Sequence, residues 1–122
     1  MSENLKRLED MLEKINYIEQ ICDEKGGISK ALDDVLRDRP AIFMFLMNIN
    51  EQLKKIQDSL DFKILKAFDK DEIRGLNGVR NVIAHDYDGV NTALIENIIR
   101  HNLPKFKSKI QQLLKSKNNY LT

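Results

Sequence analysis

The stretch from Arg80 to Asp88 gathers more chemically useful side chains than any other part of the chain: Arg80, Asn81, His85, Asp86, Tyr87 and Asp88, with Arg74 shortly before it. A guanidinium is permanently charged and can take two oxygens of one phosphate, and an imidazole titrates near neutrality. Together at one phosphodiester they could cleave RNA without a metal. The ribose 2′-OH would attack the adjacent phosphorus, Arg80 would stabilise the growing negative charge, and His85 would move a proton, from the 2′-OH or to the leaving oxygen. One histidine cannot do both at one moment. A two-fold dimer facing two such clusters across a cleft would supply a second. His101 is the other histidine of the chain, but its neighbourhood has no comparable polar cluster.

Spacing limits this idea. Five residues on an α-helix amount to about 7.5 Å of rise and about 140° of rotation, so Arg80 and His85 diverge on a continuous helix. A helix ending near Ala84 would let His85 swing back, and Asp88-Gly89 is a turn signal that fits such an ending. An arginine and a histidine at a helix end also commonly serve only to bind its last carbonyls or nearby carboxylates. Spacing by itself leaves both readings open.

The elements that must position these residues read as helices. Leu5, Leu8, Met11, Leu12, Ile15, Ile18 and Cys22 recur at helical intervals over about residues 4–24, and Gly26-Gly27 ends that helix. Ser29 is placed to cap a second helix, which carries Ala31, Leu32, Val35 and Leu36 to near Asp38. Pro40 fits the first turn of a third, running to about Ser59. The opening of that helix, Ala41 to Met47, is apolar on all sides, so it is central or one of its faces meets another subunit. Residues 62–68 could be a short helix or a packed loop. The acidic run Asp69-Lys70-Asp71-Glu72 starts a fourth helix carrying Ile73, Leu76, Val79, Val82 and Ile83. Its Gly75 and Gly78 are poor helix formers, which suggests close approach by a neighbouring backbone or a substrate, with simple tolerance as the alternative. Asn91 caps a fifth helix, Pro104 kinks or breaks it, and the apolar stripe continues to a tail expected to fray from Asn118. No strand pattern or repeat is present. The expectation is one all-α domain over residues 1–122, an up-and-down bundle of about five helices.

Composition narrows the function classes. The formal net charge is +1, which argues against a broad, charge-driven coat on nucleic acid but not against an enzyme that grips one or two phosphates. Lysines crowd the C-terminal stretch at 105, 107, 109, 115 and 117, and a solvated helix face accounts for them. Cys22 is the single cysteine and falls on the apolar face of the first helix, as a small core residue. The longest apolar run is far short of the roughly 20 residues a spanning helix needs, and the first residues lack a signal-peptide pattern. A cytoplasmic protein without a membrane partner is expected. With 2 histidines, a metal-dependent phosphohydrolase built on His85, Asp86 and Asp88 lacks ligands, and no cofactor or metal is expected.

The motif Arg80-x4-His85-x-Tyr87 resembles the R-x4-H-x-Y motif of the HepT-like toxins of the HEPN superfamily. Asn81 matches the polar residue that commonly follows the motif arginine. The exit turn Asp88-Gly89-Val90-Asn91, the step Leu103-Pro104 and the segment Ile49-Asn50-Glu51-Gln52-Leu53 are similar to the corresponding parts of that family, so the likeness extends over most of the chain. The resemblance implies an all-helical homodimer whose paired motifs line a cleft, acting as a ribonuclease toxin. It implies a partner as well, an MntA-like minimal nucleotidyltransferase antitoxin that moves AMP from ATP to the motif tyrosine. Carried over, Arg80 and His85 are the nuclease residues, Asn81 supports them, and Tyr87 is the AMP acceptor. An adenylate there would add negative charge and bulk beside the cleft. Asp86 and Asp88 could orient the partner's metal–nucleotide complex, although solubility and turn formation account for them too. The competing reading is a non-catalytic helical subunit of a two-component nucleotidyltransferase, with Arg80 holding a nucleotide or the partner.

Overall fold

The computed structural model describes residues 3–85 and 91–121, with side chains for 3–84 and 91–116. Seven α-helices are found among them, and no strand: α1 (Glu3–Lys25), α2 (Ile28–Asp33), α3 (Asp38–Asp58), α4 (Phe62–Leu65), α5 (Lys70–His85), α6 (Thr92–Asn97) and α7 (Leu103–Leu121). A π-helical turn, Ile98–Asn102, joins the last two. The all-α class follows the hydrophobic periodicity. Three of the seven helices, α2, α4 and α6, are short pieces of four to six residues, and the expected fifth helix is divided into α6 and α7.

α1 buries Leu8, Met11, Ile15, Ile18 and Cys22, with Leu5 and Leu12 on the flanks of the stripe. The chain leaves it through two successive glycines at positive φ, Gly26 at 89° and Gly27 at 150°. A side chain at either would be strained there. This tight exit starts α2 at once, with Gly27 rather than Ser29 at the N-cap, and Ser29 lies inside the helix. α2 also stops at Asp33, short of the expected Asp38. The carboxylate of Asp34 accepts from Lys25 Nζ at 2.7 Å and from the Arg37 backbone N–H at 3.1 Å, which favours a turn over another helical step. Arg39 Nε donates to the carbonyl of Leu32 at 2.6 Å and satisfies the helix end. Val35 and Leu36 are consequently exposed, Leu36 at 91%, and do not join the core.

α3 is the central helix and packs against α1, α2, α4 and α5. Ile42, Phe43, Leu46, Ile49, Leu53 and Ile56 are buried. Pro40 occupies its first turn, as expected. Asn4 Nδ2 donates to Ser59 Oγ at 2.9 Å and to Asp61 Oδ2 at 3.0 Å, pinning the start of α1 to the end of α3. At the opposite end Lys25 reaches Asp38 at 3.2 Å, so the two helices are antiparallel. Asp61 caps α4 through the Ile64 N–H. A short connection then starts α5 where α3 stops, which makes these neighbours antiparallel as well. Phe68 stacks on Phe106 of α7 with centroids 4.9 Å apart.

Asn91 caps α6 as expected, accepting from the Ala93 and Leu94 N–H groups. Pro104 neither breaks nor simply kinks the helix that follows. It lacks the N–H that would bond the carbonyl of Arg100, and its ring would crowd that carbonyl. The ladder widens just before it, where the Leu103 N–H bonds the carbonyl of Ile98, five residues back. Helicity then continues through Leu103, Phe106 and Ile110, all buried.

Candidate functional site

The motif helix α5 is anchored by one face. Leu76, Val79 and Ile83 are buried at 0–2% exposure, which leaves Arg80 and Asn81 on the open side, both exposed. The helical backbone carries through His85. The helix therefore does not end before His85, and the rotation of about 140° between its position and that of Arg80 holds within one chain. The imidazole of His85 and the whole of Tyr87, Asp86 and Asp88 lie outside the described side chains and residues. His101, the other histidine, is exposed on the π-helical turn.

A polar network ties this helix to α3. Asn50 is 1% exposed on the core side of α3. Its Nδ2 donates to the carbonyl of Leu76 at 3.2 Å and to Asn77 Oδ1 at 2.8 Å. Asn77 Nδ2 donates in turn to Gln57 Oε1 at 3.2 Å. The amide chain Asn50–Asn77–Gln57 thus fixes α5 one turn before Arg80 and Asn81. Asn50 Oδ1 is buried without a partner among the described residues, a cost that an apolar residue would avoid. Sequence reasoning missed this network. The available signal was Asn50 itself, a carboxamide standing where the stripe Leu46, Ile49, Leu53, Ile56 places core residues.

Gly75 and Gly78 prove different from each other. A Cβ on Gly75 would come within 2.9 Å of Asn102 Nδ2, so the close approach is made by a side chain of the π-helical turn. A Cβ on Gly78 would meet nothing within 4 Å.

Among the described residues, one face of α3 is uncovered. Pro40, Phe43, Met44, Met47, Asn48 and Glu51 line an open groove of about 390 Å³, and Met44 is 68% exposed. Asn48 Oδ1 is buried there without a partner among the described residues. The antiparallel arrangement of α3 and α5 brings the start of α3 and the end of α5 to the same end of the bundle, so this groove and the motif share that end.

Elsewhere the charged groups do structural work. Lys107 pairs with Glu19 at 2.7 Å, and Lys109 reaches Glu72 at 3.1 Å and Asp69 at 3.7 Å. The lysine-rich C-terminal stretch is therefore partly neutralised within the bundle. Lys25 sits between Asp34 and Asp38; its hydrogen bonds to them raise its pKa, and the bond from Lys25 holds Asp34 down at about 2. Burial, and then the nearby carboxylates of Asp23, Asp38 and Glu19, push the Cys22 thiol up. Among the described residues no three His, Cys, Asp or Glu side chains gather in a way that could hold a metal ion. No helix among them is long and apolar enough to cross a membrane.

Neither a search of curated proteins nor a search of solved structures finds a match. A family model described as "Ribonuclease HepT-like" matches residues 1–113, which takes in every helix up to the middle of α7 and the whole Arg80–Tyr87 motif. A core-locked helix presenting an arginine, with a histidine five residues on, is thus met in a chain that belongs to the HepT-like ribonuclease family.

Proposed function

We propose that this chain is the toxin of a toxin–antitoxin pair, a metal-independent endoribonuclease that uses Arg80 and His85. The observation that carries the reading is the exposure of Arg80 and Asn81 on a helix whose other face is fully buried, in a chain of the HepT-like ribonuclease family. A side chain on such a helix is held without being covered, which suits a group that must meet a large substrate. In the proposed reaction the 2′-OH loses its proton to a base and attacks phosphorus. The P–O5′ bond breaks, and O5′ takes a proton from an acid. The products are a 2′,3′-cyclic phosphate and a 5′-OH. Arg80 offsets the charge on the non-bridging oxygens, and His85 serves as one of the two proton-moving groups.

The rotation between Arg80 and His85 on the continuous helix supports a homodimer, in which the second proton-moving group comes from the other copy. The uncovered groove on α3 at the same end of the bundle suits such a partner. The reading further assigns Tyr87 as the acceptor of AMP from an MntA-like minimal nucleotidyltransferase. Adenylation there would place negative charge and bulk where an RNA phosphate has to bind.

Purified protein tests the nuclease reading when it is given RNA in the presence of a strong chelator. Cleavage leaving cyclic-phosphate ends is expected from wild type, with loss in both Arg80→Ala and His85→Ala while circular dichroism stays unchanged. Equal cleavage by all three proteins would expose a contaminant. No cleavage by wild type, with binding to the nucleotidyltransferase retained, would make the chain a binding subunit. Intact-mass measurement after incubation with that enzyme and ATP tests the tyrosine: adenylate additions should vanish in Tyr87→Phe.

A further inference from the structure

The exposed cations that form no ion pair among the described residues include Lys105 and Lys115 of α7 as well as residues on the α3–α5 side. In α7, Lys107 and Lys109 are engaged with Glu19, Glu72 and Asp69. On the α3–α5 side, Lys54, Lys70 and Arg80 are exposed and form no ion pair among the described residues. Arg74 approaches Asp71 only at 3.9 Å, with both side chains more than 80% exposed, a pairing too solvated to neutralise it.

Their placement is ordered. Asn77 marks the direction in which α5 faces α3, because it bonds both Asn50 and Gln57. Counting about 100° per residue, Lys70 lies about 20° from Asn77, Arg74 about 60° and Asn81 about 40° on the same side. Lys70, Arg74, Asn77 and Asn81 therefore form one polar stripe along the helix, at intervals of four, three and four residues. At its end Arg80 and His85 fall on opposite sides of it, at about 60° and 80°. Lys54 of α3 stands four residues after Asn50 and three before Gln57, on the seam shared with this stripe. On α3 the carboxylates Glu51 and Asp58 stand three residues before and four residues after Lys54, about 60° and 40° from it, so Lys54 is flanked by acids on its own helix face.

We infer that Lys70 and Arg74 form a track for the sugar–phosphate backbone of single-stranded RNA, leading it along α5 to Arg80 and His85. This assignment rests on the ribonuclease reading for the direction of travel, but the binding surface can be tested separately. Contacts of lysine and arginine to phosphates position a strand without reading its bases. A net charge of +1 is compatible with this, because a few cations along one helix suffice to hold one or two phosphates.

The test uses wild-type protein and a single-stranded 2′-O-methyl oligoribonucleotide, which lacks the attacking hydroxyl. Affinity is measured across a salt series. Each phosphate contact on a single strand contributes about 0.7 to the slope of log K against log salt, so the double variant Lys70→Gln/Arg74→Gln should flatten the slope by about 1.4. That amounts to roughly 25-fold weaker binding at about 0.1 M salt relative to the high-salt limit. The double variant Lys105→Gln/Lys115→Gln on α7 should leave slope and affinity unchanged. In cleavage of ordinary RNA, the α5 variant should raise KM by a similar factor with kcat intact. An unchanged slope in the α5 variant, or an equal change in both variants, overturns the track even if wild type cleaves RNA normally. A flattened slope in a protein that does not cleave would uphold the track and defeat the ribonuclease reading instead.

Discussion

Replacing Asn50 by leucine separates stability from function in this bundle. The substitution removes two hydrogen bonds, to the Leu76 carbonyl at 3.2 Å and to Asn77 Oδ1 at 2.8 Å. At about 1 kcal/mol net for each, the loss is about 2 kcal/mol. Neither acceptor is stranded: the Leu76 carbonyl keeps its place in the α5 ladder, and half-buried Asn77 keeps Gln57 and access to water. Against this loss, the buried and unpartnered Asn50 Oδ1 disappears, which returns about 1–3 kcal/mol, and a leucine of similar size fills a site only 1% exposed. The two sides nearly cancel, so Asn50→Leu should unfold in denaturant within about 1 kcal/mol of wild type. Asn50→Ala loses the same bonds and leaves a cavity, and should cost about 2–4 kcal/mol. Function should respond differently. Without the amide chain, α5 loses its polar registration on α3 one turn before Arg80, and misplacement of a reacting group by about 1 Å can cost on the order of 100-fold. Ribonuclease activity in Asn50→Leu should fall by about 10- to 100-fold, mainly in kcat. A leucine variant that cleaves RNA at the wild-type rate, or one destabilised by more than about 3 kcal/mol, would refute the reasoning.

Three further outcomes are expected. Gly78→Ala should stabilise the fold by about 1 kcal/mol, because its Cβ enters open space in a helix interior, whereas Gly75→Ala should gain less because Asn102 must move; chemical denaturation giving the reverse order would contradict the geometry. The Lys25–Asp34 pair should support the fold at neutral pH: Asp34 is held at about 2, below its ordinary 3.8, so its contribution is present above pH 3.8 and fades as pH falls through about 2. The stability gap between wild type and Lys25→Met should accordingly shrink over that window, and a gap that persists at pH 2 would count against the pair. Cys22 should resist thiol reagents at pH 7 in the folded protein, since burial raises its pKa, and labelling should track unfolding; immediate full labelling of native protein would contradict its burial.

Much of the bundle was legible because long helices announce themselves by period. The stripes of α1, α3 and α5, the cap at Asn91 and the position of Pro40 needed only local rules. What escaped was settled by contacts distant in sequence. Ser29 has the chemistry of a cap, but the two glycines before it turn the chain so tightly that the helix has already begun. Val35 and Leu36 look like core residues, yet Asp34 is drawn out of the helix by Lys25, nine residues back. Pro104 was rightly expected to disturb its helix, but whether a proline breaks, kinks or widens a ladder depends on what the flanking residues bury, and here Ile99, Leu103 and Phe106 hold the helix in place. In the motif, exposure of Arg80 and Asn81 follows from the stripe opposite them. That the helix continues through His85 rather than stopping before it does not, because the turn signal Asp88-Gly89 lies three residues further on and fits an ending before or after His85.

This continuity bears on how the motif can work. A helix is a good platform for single groups and a poor one for bringing two groups five residues apart to one atom. The same geometry that separates Arg80 from His85 places a polar stripe between them, with Asn81 on its line and Asn77 clamped to α3 beneath it. A phosphate lying along that stripe would have a cation on one side and the histidine position on the other, rather than sitting in a closed pocket. Such an arrangement gives little discrimination among bases and few contacts per nucleotide. It therefore depends on a second surface, whether another copy at the uncovered α3 groove or the cations farther along α5, to hold the strand while one proton is moved. Removing Met44 from the groove face and removing Lys70 with Arg74 should thus impair cleavage in different ways. The first should make activity depend more steeply on protein concentration, and the second should make it depend less steeply on salt.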